Sequence, residues 1–185
     1  IVHGRGAQAG DALIRHPDVR TISFTGGTVT GATIARTAAP MFKKLALELG
    51  GKNPNIVFSD ADLDVCVGES VRAAFSNQGQ VCLSGSRLYV EQSVFDEFVR
   101  RFVARASALR AGDPLEDSTE IGAVVSKAHR DKVTGYIDAA RHEGGVIHCG
   151  GGIPETLPQR CRDGFFVTPT VISGLSVSSR VNCEE

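Results

Sequence analysis

Short apolar segments alternate with longer amphipathic ones along most of the chain. The short segments are rich in valine, isoleucine, leucine and phenylalanine, and runs of this length and composition are typical of strands. They occupy residues 21–24, 45–47, 56–58, 87–90, 146–148 and 167–172. Because alternation of strands with helices favours parallel pairing, the pattern predicts an α/β fold with a largely parallel sheet.

Three stretches carry the apolar spacing of an amphipathic helix. The clearest covers about residues 93–109, where phenylalanine and valine form one stripe and three arginines lie off it. A second follows Ser126, a residue type that caps helix N-termini. A third begins near Asp60 and Asp62 and ends before Gly79. This third helix delivers the chain to Cys82.

Composition narrows the class of partner. Lysine and arginine number 20 against 21 aspartate and glutamate residues, without long runs of one sign, so we expect no nucleic-acid partner. No run approaches the roughly 18 apolar residues of a membrane span, and the first residues lack the charged-then-apolar order of a signal peptide. Five cysteines and five histidines lack the spacings of a disulfide framework or a metal site. We expect a cytoplasmic protein with a small-molecule partner and no metal.

The segment at residues 75–82 is the first candidate for chemistry, since a helix runs there into a polar, glycine-containing turn that ends in Cys82. A thiol needs nearby N–H groups or positive charge to ionise at neutral pH, and Gly79 permits a backbone that presents Cys82 and its amide to one substrate atom. The alternative is a small packing residue, which we expect for Cys66 and Cys149.

Glu48 is the second candidate, because this carboxylate closes an apolar strand and is followed at once by Gly50 and Gly51. A carboxylate held among apolar neighbours has a raised pKa and can accept a proton. The alternative is a strand-end glutamate that points into solvent or pairs with Lys52. Both interpretations stay open at this point.

Residues 24–31 are the third candidate, a strand that runs into a glycine turn and then a helix. Helix N-terminal amides attract phosphate, and glycines let it approach closely. The segment lacks the usual dinucleotide fingerprint, because Thr28 stands at the second glycine position, and it is not a P-loop. A plain strand-to-helix turn is the alternative interpretation.

Taken in this order and spacing, the three segments closely resemble the aldehyde dehydrogenase superfamily. Residues 47–54 look like its glutamate signature, residues 75–86 like its cysteine signature and residues 24–31 like its nucleotide-binding turn, with 34 positions from Glu48 to Cys82. The resemblance covers the whole chain. It implies that residues 1–48 are the C-terminal part of a Rossmann-like NAD(P)-binding domain and residues 49–185 a truncated catalytic domain.

The resemblance also implies the roles of single residues. Cys82 is expected to be the nucleophile that forms a thiohemiacetal and then a thioester with the aldehyde, and Glu48 the base that activates water. The expected cofactor is NAD, with NADP not excluded. The cofactor-binding residues implied are Thr25, Gly26, Gly27, Gly31, Leu49 and Glu185. One departure is Gly27, because the family usually has serine there.

Within the superfamily, residues 76–83 and 126–129 are most similar to the 2-aminomuconic and 2-hydroxymuconic semialdehyde dehydrogenases. Three alternatives remain: a betaine-aldehyde or general aliphatic aldehyde dehydrogenase, a non-catalytic structural member, and a cysteine hydrolase. The last needs a histidine base near Cys82, for which the sequence has no motif.

The chain begins at Ile1, which is not a methionine, and ends at Glu185 without a turn signal. We therefore expect a fragment of a longer protein that forms a homodimer or homotetramer. A sheet that lacks strands exposes its edges. The fragment alone is expected to be inactive and unstable.

Overall fold

A computed structural model describes residues 1–185 of the chain. The chain divides into two compact units, Ile1–Gly51 and Lys52–Glu185. No helix in either unit is long and apolar enough to cross a membrane.

The first unit is built on a strand-helix-strand arrangement. After a π-helical turn at Gly6–Gly10 and a short helix α1 (Asp11–Arg15), strand β1 (Thr21–Gly26) leads into helix α2 (Thr28–Ala38), and strand β2 (Lys44–Leu49) follows. The two strands pair in parallel, which requires a crossover, and α2 supplies it. Alternate residues of both strands are half-buried, and α2 buries Gly31, Ile34 and Ala38.

The second unit begins with two parallel strands that are again joined through a helix. Strands β3 (Pro54–Val57) and β4 (Arg87–Val90) are paired, and helix α3 (Leu63–Phe75) lies between them in the chain. The side chain of Asp62 caps α3, since it accepts hydrogen bonds from the N–H groups of Asp64 at 3.0 Å and Val65 at 3.3 Å. Such a cap satisfies amides that lack a partner within the helix.

A hydrophobic core forms between α3 and helix α4 (Phe95–Ser107). Phe98 is 2% exposed, and its ring lies 5.6 Å from that of Phe102. The buried members of this core are Val57, Val67, Val71, Phe98, Phe102 and Ala106. This core fixes the position of α3. The loop that follows Phe75 therefore starts from a firmly packed helix end.

The rest of the second unit consists of helix α5 (Lys127–His142), strands β5 (Val146–Cys149) and β6 (Val171–Ser173), and a short helix α6 (Arg180–Cys183). The predicted cap is confirmed, since Ser126 Oγ accepts the N–H of His129 at 3.2 Å. Strands β5 and β6 are antiparallel.

The predicted α/β fold is confirmed, and so are the three predicted helices. The largely parallel sheet is not found as such, because the strands form three separate pairs and the last of them is antiparallel. The chain between Cys149 and Val171 contains only a three-residue 3-10 turn at Gln159–Cys161. Without a helical crossover, β6 returns beside β5 in the opposite direction.

Candidate active site

The glycine turn of the first unit joins the C-terminal end of β1 to the N-terminus of α2. Gly27 occupies the cap position in an extended conformation, and no side chain accepts a hydrogen bond from the helix N-terminus. The first bond of the helix runs from Gly31 N–H to Gly27 C=O at 3.0 Å. The amides of the first helical turn are therefore free to bind an anionic ligand group.

Gly31 allows α2 to pack closely on the end of β2. A Cβ atom at this buried position would lie 2.6 Å from Cδ2 of Leu49, so only glycine fits without displacing that side chain. In the parallel register Thr25 pairs with Glu48, and Gly26 pairs with Leu49. The first unit thus contains six of the eight predicted site residues: Thr25, Gly26, Gly27, Gly31, Glu48 and Leu49.

Glu48 lies on the exposed face of β2, because side chains alternate along a strand and the neighbouring Leu47 and Leu49 face the half-buried side. The expected apolar surroundings of this carboxylate are not found within its own unit. The exposure of Glu48 agrees with the alternative in which its side chain points into solvent. Its role as a base stays a prediction.

The cysteine loop, residues 76–84, follows α3 in the second unit. Its 3-10 turn at Ser76–Gly79 contains three consecutive residues with positive φ, namely Asn77 at 50°, Gln78 at 58° and Gly79 at 74°. The freedom expected of Gly79 is confirmed. A left-handed conformation costs a residue other than glycine about 1–3 kcal/mol, so neighbouring contacts must hold Asn77 and Gln78 in place.

Cys82 occupies the second position of the tight turn that ends the cysteine loop. The turn is closed by the hydrogen bond from Ser84 N–H to Val81 C=O at 2.9 Å. The thiol of Cys82 is free and its side chain is exposed. Its backbone N–H donates to no acceptor in the chain. An exposed thiol beside an unpaired N–H is the arrangement that a nucleophile and its oxyanion donor need.

Side-chain amides hold the cysteine loop from two directions. Gln80 Oε1 accepts the N–H of Val125 at 3.0 Å. The side-chain amide of Gln78 is oriented so that its oxygen accepts the N–H of Gly122 at 2.9 Å. On the opposite side Asn53 Nδ2 donates to the carbonyl of Cys82 at 2.6 Å. These contacts fix a backbone that is locally strained.

Sequence reasoning missed these three amide side chains, Asn53, Gln78 and Gln80. All three lie in the segments at residues 47–54 and 75–86, but their partners lie far away in the chain. The available signal was composition, since asparagine and glutamine are concentrated on both sides of Gly79 in residues 77–80.

Glu185, the remaining predicted cofactor residue, follows α6 at the end of the second unit. Its carbonyl oxygen accepts a hydrogen bond from Lys132 Nζ at 2.6 Å. The adjacent Glu184 accepts hydrogen bonds from Arg180 and from the hydroxyl of Tyr136, and these lower the pKa of its carboxyl to about 2. The chain end that carries Glu185 is therefore anchored to α5 by charged groups.

One cavity of the second unit has a volume of about 570 Å³ and lies among β4, α4, α5 and β6. Its walls are mostly apolar. Neither Cys82 nor Glu185 lines it, so this cavity does not support the site assignment. Lys52 lies at its edge, and burial lowers the pKa of this lysine, with the nearby Arg87 acting in the same direction.

Comparison with known proteins extends over the whole chain. The model of the aldehyde dehydrogenase family matches residues 1–185. The chain is 50% identical to 2-aminomuconic semialdehyde dehydrogenase of Danio rerio and 46% identical to 2-hydroxymuconic semialdehyde dehydrogenase of Pseudomonas sp. (strain CF600). Both alignments cover 100% of this chain and 38% of the relative. The chain thus spans little more than a third of the length of these relatives.

A solved structure agrees with this match. Betaine aldehyde dehydrogenase from Staphylococcus aureus, determined in complex with NAD+, superposes with a TM-score of 0.94 at 40% sequence identity. The superposition covers 98% of this chain and 36% of that protein.

Proposed function

Because this chain belongs to the aldehyde dehydrogenase family, we propose that the protein carrying it oxidises an aldehyde to a carboxylic acid with NAD as the electron acceptor. One observation carries the proposal: Cys82 presents an exposed, free thiol on a tight turn beside its own unpaired N–H. The expected semialdehyde and cofactor agree with the names of the relatives and with the NAD+ complex of the solved neighbour.

Cys82 carries the first chemical step. Its thiolate attacks the aldehyde carbon, a C–S bond forms, and the π electrons of the carbonyl move to oxygen. The backbone N–H of Cys82 donates a hydrogen bond to that oxygen. The product on the enzyme is a thiohemiacetal. The positioned turn matters because a small misplacement of the sulfur lowers the rate of attack.

The glycine turn of the first unit fits a dinucleotide cofactor. Its free helix N-terminal amides suit a pyrophosphate, and the missing side chain at Gly27 leaves open space where that group can approach. Thr25, Gly26, Gly27, Gly31 and Leu49 are the residues proposed to hold the cofactor there, with Glu185 as a ribose ligand. When bound, NAD supplies the acceptor for the hydride that leaves the substrate carbon.

Glu48 is proposed to act after oxidation, when the acyl group is bound to Cys82 as a thioester. Its carboxylate takes a proton from a water molecule, the resulting hydroxide attacks the thioester carbon, and the C–S bond breaks. The acid leaves and the Cys82 thiolate returns. The exposed position of Glu48 on β2 is compatible with contact to water.

The proposed substrates are muconic semialdehydes, which carry an aldehyde and a carboxylate on one unsaturated chain. The relatives named for 2-aminomuconic and 2-hydroxymuconic semialdehyde are 50% and 46% identical to this chain. Betaine aldehyde is the second candidate, because the solved neighbour is named for it and is 40% identical.

The test is NAD-dependent formation of NADH by the full-length protein, measured by absorbance with 2-aminomuconic semialdehyde, 2-hydroxymuconic semialdehyde and betaine aldehyde side by side. Cys82→Ala is expected to abolish turnover, whereas Glu48→Gln is expected to give one burst of NADH per site and then a steady rate lowered about 10²–10⁴-fold. Cys183→Ala is the control, because that thiol is also free and exposed.

Full turnover by Cys82→Ala would overturn the assignment of the nucleophile. A Glu48→Gln variant that turns over at the normal rate would overturn the assignment of Glu48 as the base. Absence of turnover with every aldehyde, in a folded protein that binds NAD, would favour a non-catalytic member of the family.

A further inference from the structure

Asn53 makes the contact that most directly constrains the proposed nucleophile. Its Nδ2 donates to the carbonyl oxygen of Cys82 at 2.6 Å and lies 3.3 Å from the carbonyl oxygen of Ser84. One side chain therefore contacts the carbonyl groups of both residues that flank Leu83. Both contacts come from a residue about 30 positions earlier in the chain, at sequence separations of 29 and 31.

Asn53 itself is held firmly at the start of the β3–β4 pair. Its carbonyl oxygen accepts the N–H of Arg87 at 3.2 Å, and the guanidinium of Arg87 donates to the carbonyl of Lys52 at 2.9 Å. Asn53 is half-buried, in contrast to the exposed Cys82. The side chain of Asn53 thus links the turn that carries the thiol to the β3–β4 strand pair.

The remaining bonds of that turn do not replace this contact. The bond from Ser84 to Val81 closes the turn, and the bond from Gly85 N–H to Ala73 C=O at 3.1 Å ties its far end to α3. Neither bond involves the carbonyl of Cys82. Without Asn53 this peptide group can rotate, and the Cα–Cβ bond of Cys82 changes direction with it.

We propose that Asn53 is a positioning residue for Cys82, whose side-chain amide fixes the direction of the thiol by holding the carbonyl of the same residue. This inference rests on the proposed function, in which Cys82 attacks the aldehyde. Asn53 touches neither substrate nor cofactor in this account and acts only through the turn.

Two substitutions remove the contact in different ways. Asn53→Ala deletes the donor without adding charge. Asn53→Asp keeps the size of the side chain but directs an acceptor with negative charge at two carbonyl oxygens, and it brings that charge near the thiol. The matched control is Asn55→Asp, because Asn55 Nδ2 donates to Ser70 Oγ on α3 at 3.0 Å rather than to the cysteine loop.

The experiment uses the full-length protein and two readouts. Steady-state kinetics give kcat and the KM for NAD, and alkylation of Cys82 by iodoacetamide, followed by peptide mass spectrometry across a pH series, reports the thiolate without any turnover. Asn53→Ala is expected to lower kcat about 10-fold and Asn53→Asp about 100-fold, with the KM for NAD within about twofold. In Asn53→Asp the alkylation profile should move to higher pH, and Asn55→Asp should match the wild type in both readouts.

The inference is overturned if both Asn53 variants keep the wild-type kcat and alkylation profile, or if Asn55→Asp lowers kcat as much as Asn53→Asp does. Should Asn53→Asp fail to fold, Asn53→Ala decides the question by the same criteria. Parallel assay of Cys82→Ala separates the two hypotheses. If that variant turns over, the proposed function fails, and only the alkylation profile of Cys82 then tests whether Asn53 positions the thiol.

Discussion

The glycine turn at residues 24–31 and the cysteine loop at residues 76–84 both leave backbone N–H groups free, but they do so by opposite means. In the glycine turn no side chain caps the helix, and close packing depends on the missing Cβ of Gly31. In the cysteine loop three successive residues adopt positive φ, and the amide side chains of Asn53, Gln78 and Gln80 connect the loop to more distant parts of the chain.

The difference determines which changes each region tolerates. Where close packing depends on a missing Cβ, adding atoms is expected to destabilise the protein, because neighbouring side chains must shift to accommodate them. A region shaped by hydrogen bonds to side chains is damaged when atoms are deleted, because the strained backbone then relaxes. Both expectations can be tested with substitutions of similar size.

The largest effect is expected from filling the glycine turn. Gly31→Ala places a Cβ 2.6 Å from Cδ2 of Leu49 and should destabilise the protein by about 1–3 kcal/mol. The control is Gly68→Ala, since Gly68 lies within α3 with no atom within 4 Å of the added Cβ. That change should stabilise by about 0.5–1 kcal/mol through helix propensity. Urea unfolding of the full-length variants measures both, and equal signs would refute the contrast.

A smaller effect is expected from deleting one support of the cysteine loop. Gln80→Ala removes the acceptor of the Val125 N–H and should cost about 0.5–1.5 kcal/mol, with a lower kcat as the loop relaxes. Gln80→Glu keeps an oxygen at that position and should retain more of the stability. Gln92→Ala, at the start of an exposed 3-10 turn, is the control. Urea midpoints that agree between Gln80→Ala and this control would show that the contact is dispensable.

The smallest effect concerns the end of the second unit, where charged groups replace neutral amides. Hydrogen bonds from Arg180 and Tyr136 lower the pKa of Glu184 from 4.5 to about 2. A lowered pKa in the folded state means that this stabilisation is complete above pH 4.5 and is lost as the pH falls toward 2. Tyr136→Phe removes one donor, so the acid limb of the stability curve should move to higher pH.

This shift is measured as the urea midpoint against pH, with Tyr89→Phe as the control. Tyr89 lies on β4, where Arg87 stacks over its ring, and it contacts no carboxylate. Identical acid limbs for the two variants would mean that Tyr136 does not hold Glu184.

Much of this architecture follows from local sequence. Ser126 caps α5 as predicted, α3 begins close to Asp62 as expected, and the stripe along α4 packs into the core as its spacing predicts. The separate strand pairs and the antiparallel β5–β6 pair were not predictable, because pairing depends on contacts between distant segments. The sequence left the exposure of Glu48 open for a related reason, since alternation gives two faces but not which one is covered.

The candidate site likewise has residues that local sequence predicts and residues that depend on distant contacts. Cys82, Glu48 and the glycine turn are visible in the sequence because their residue types and spacing form motifs. The supports of the cysteine loop are not, because Asn53 and Gln80 reach partners 29 and 45 residues away. A side-chain amide in a loop has many potential partners, and only the folded chain selects one.

The left-handed run at Asn77, Gln78 and Gly79 also bears on the order in which this protein is made. Asn77 and Gln78 favour right-handed backbone until Gly122 and Val125 offer their N–H groups. During synthesis, those partners leave the ribosome more than 40 residues later, at a separation of 45 for the bond to Val125. The thiol of Cys82 therefore emerges well before the partners that fix its loop, and we expect its positioned geometry to form only after the downstream chain has been translated.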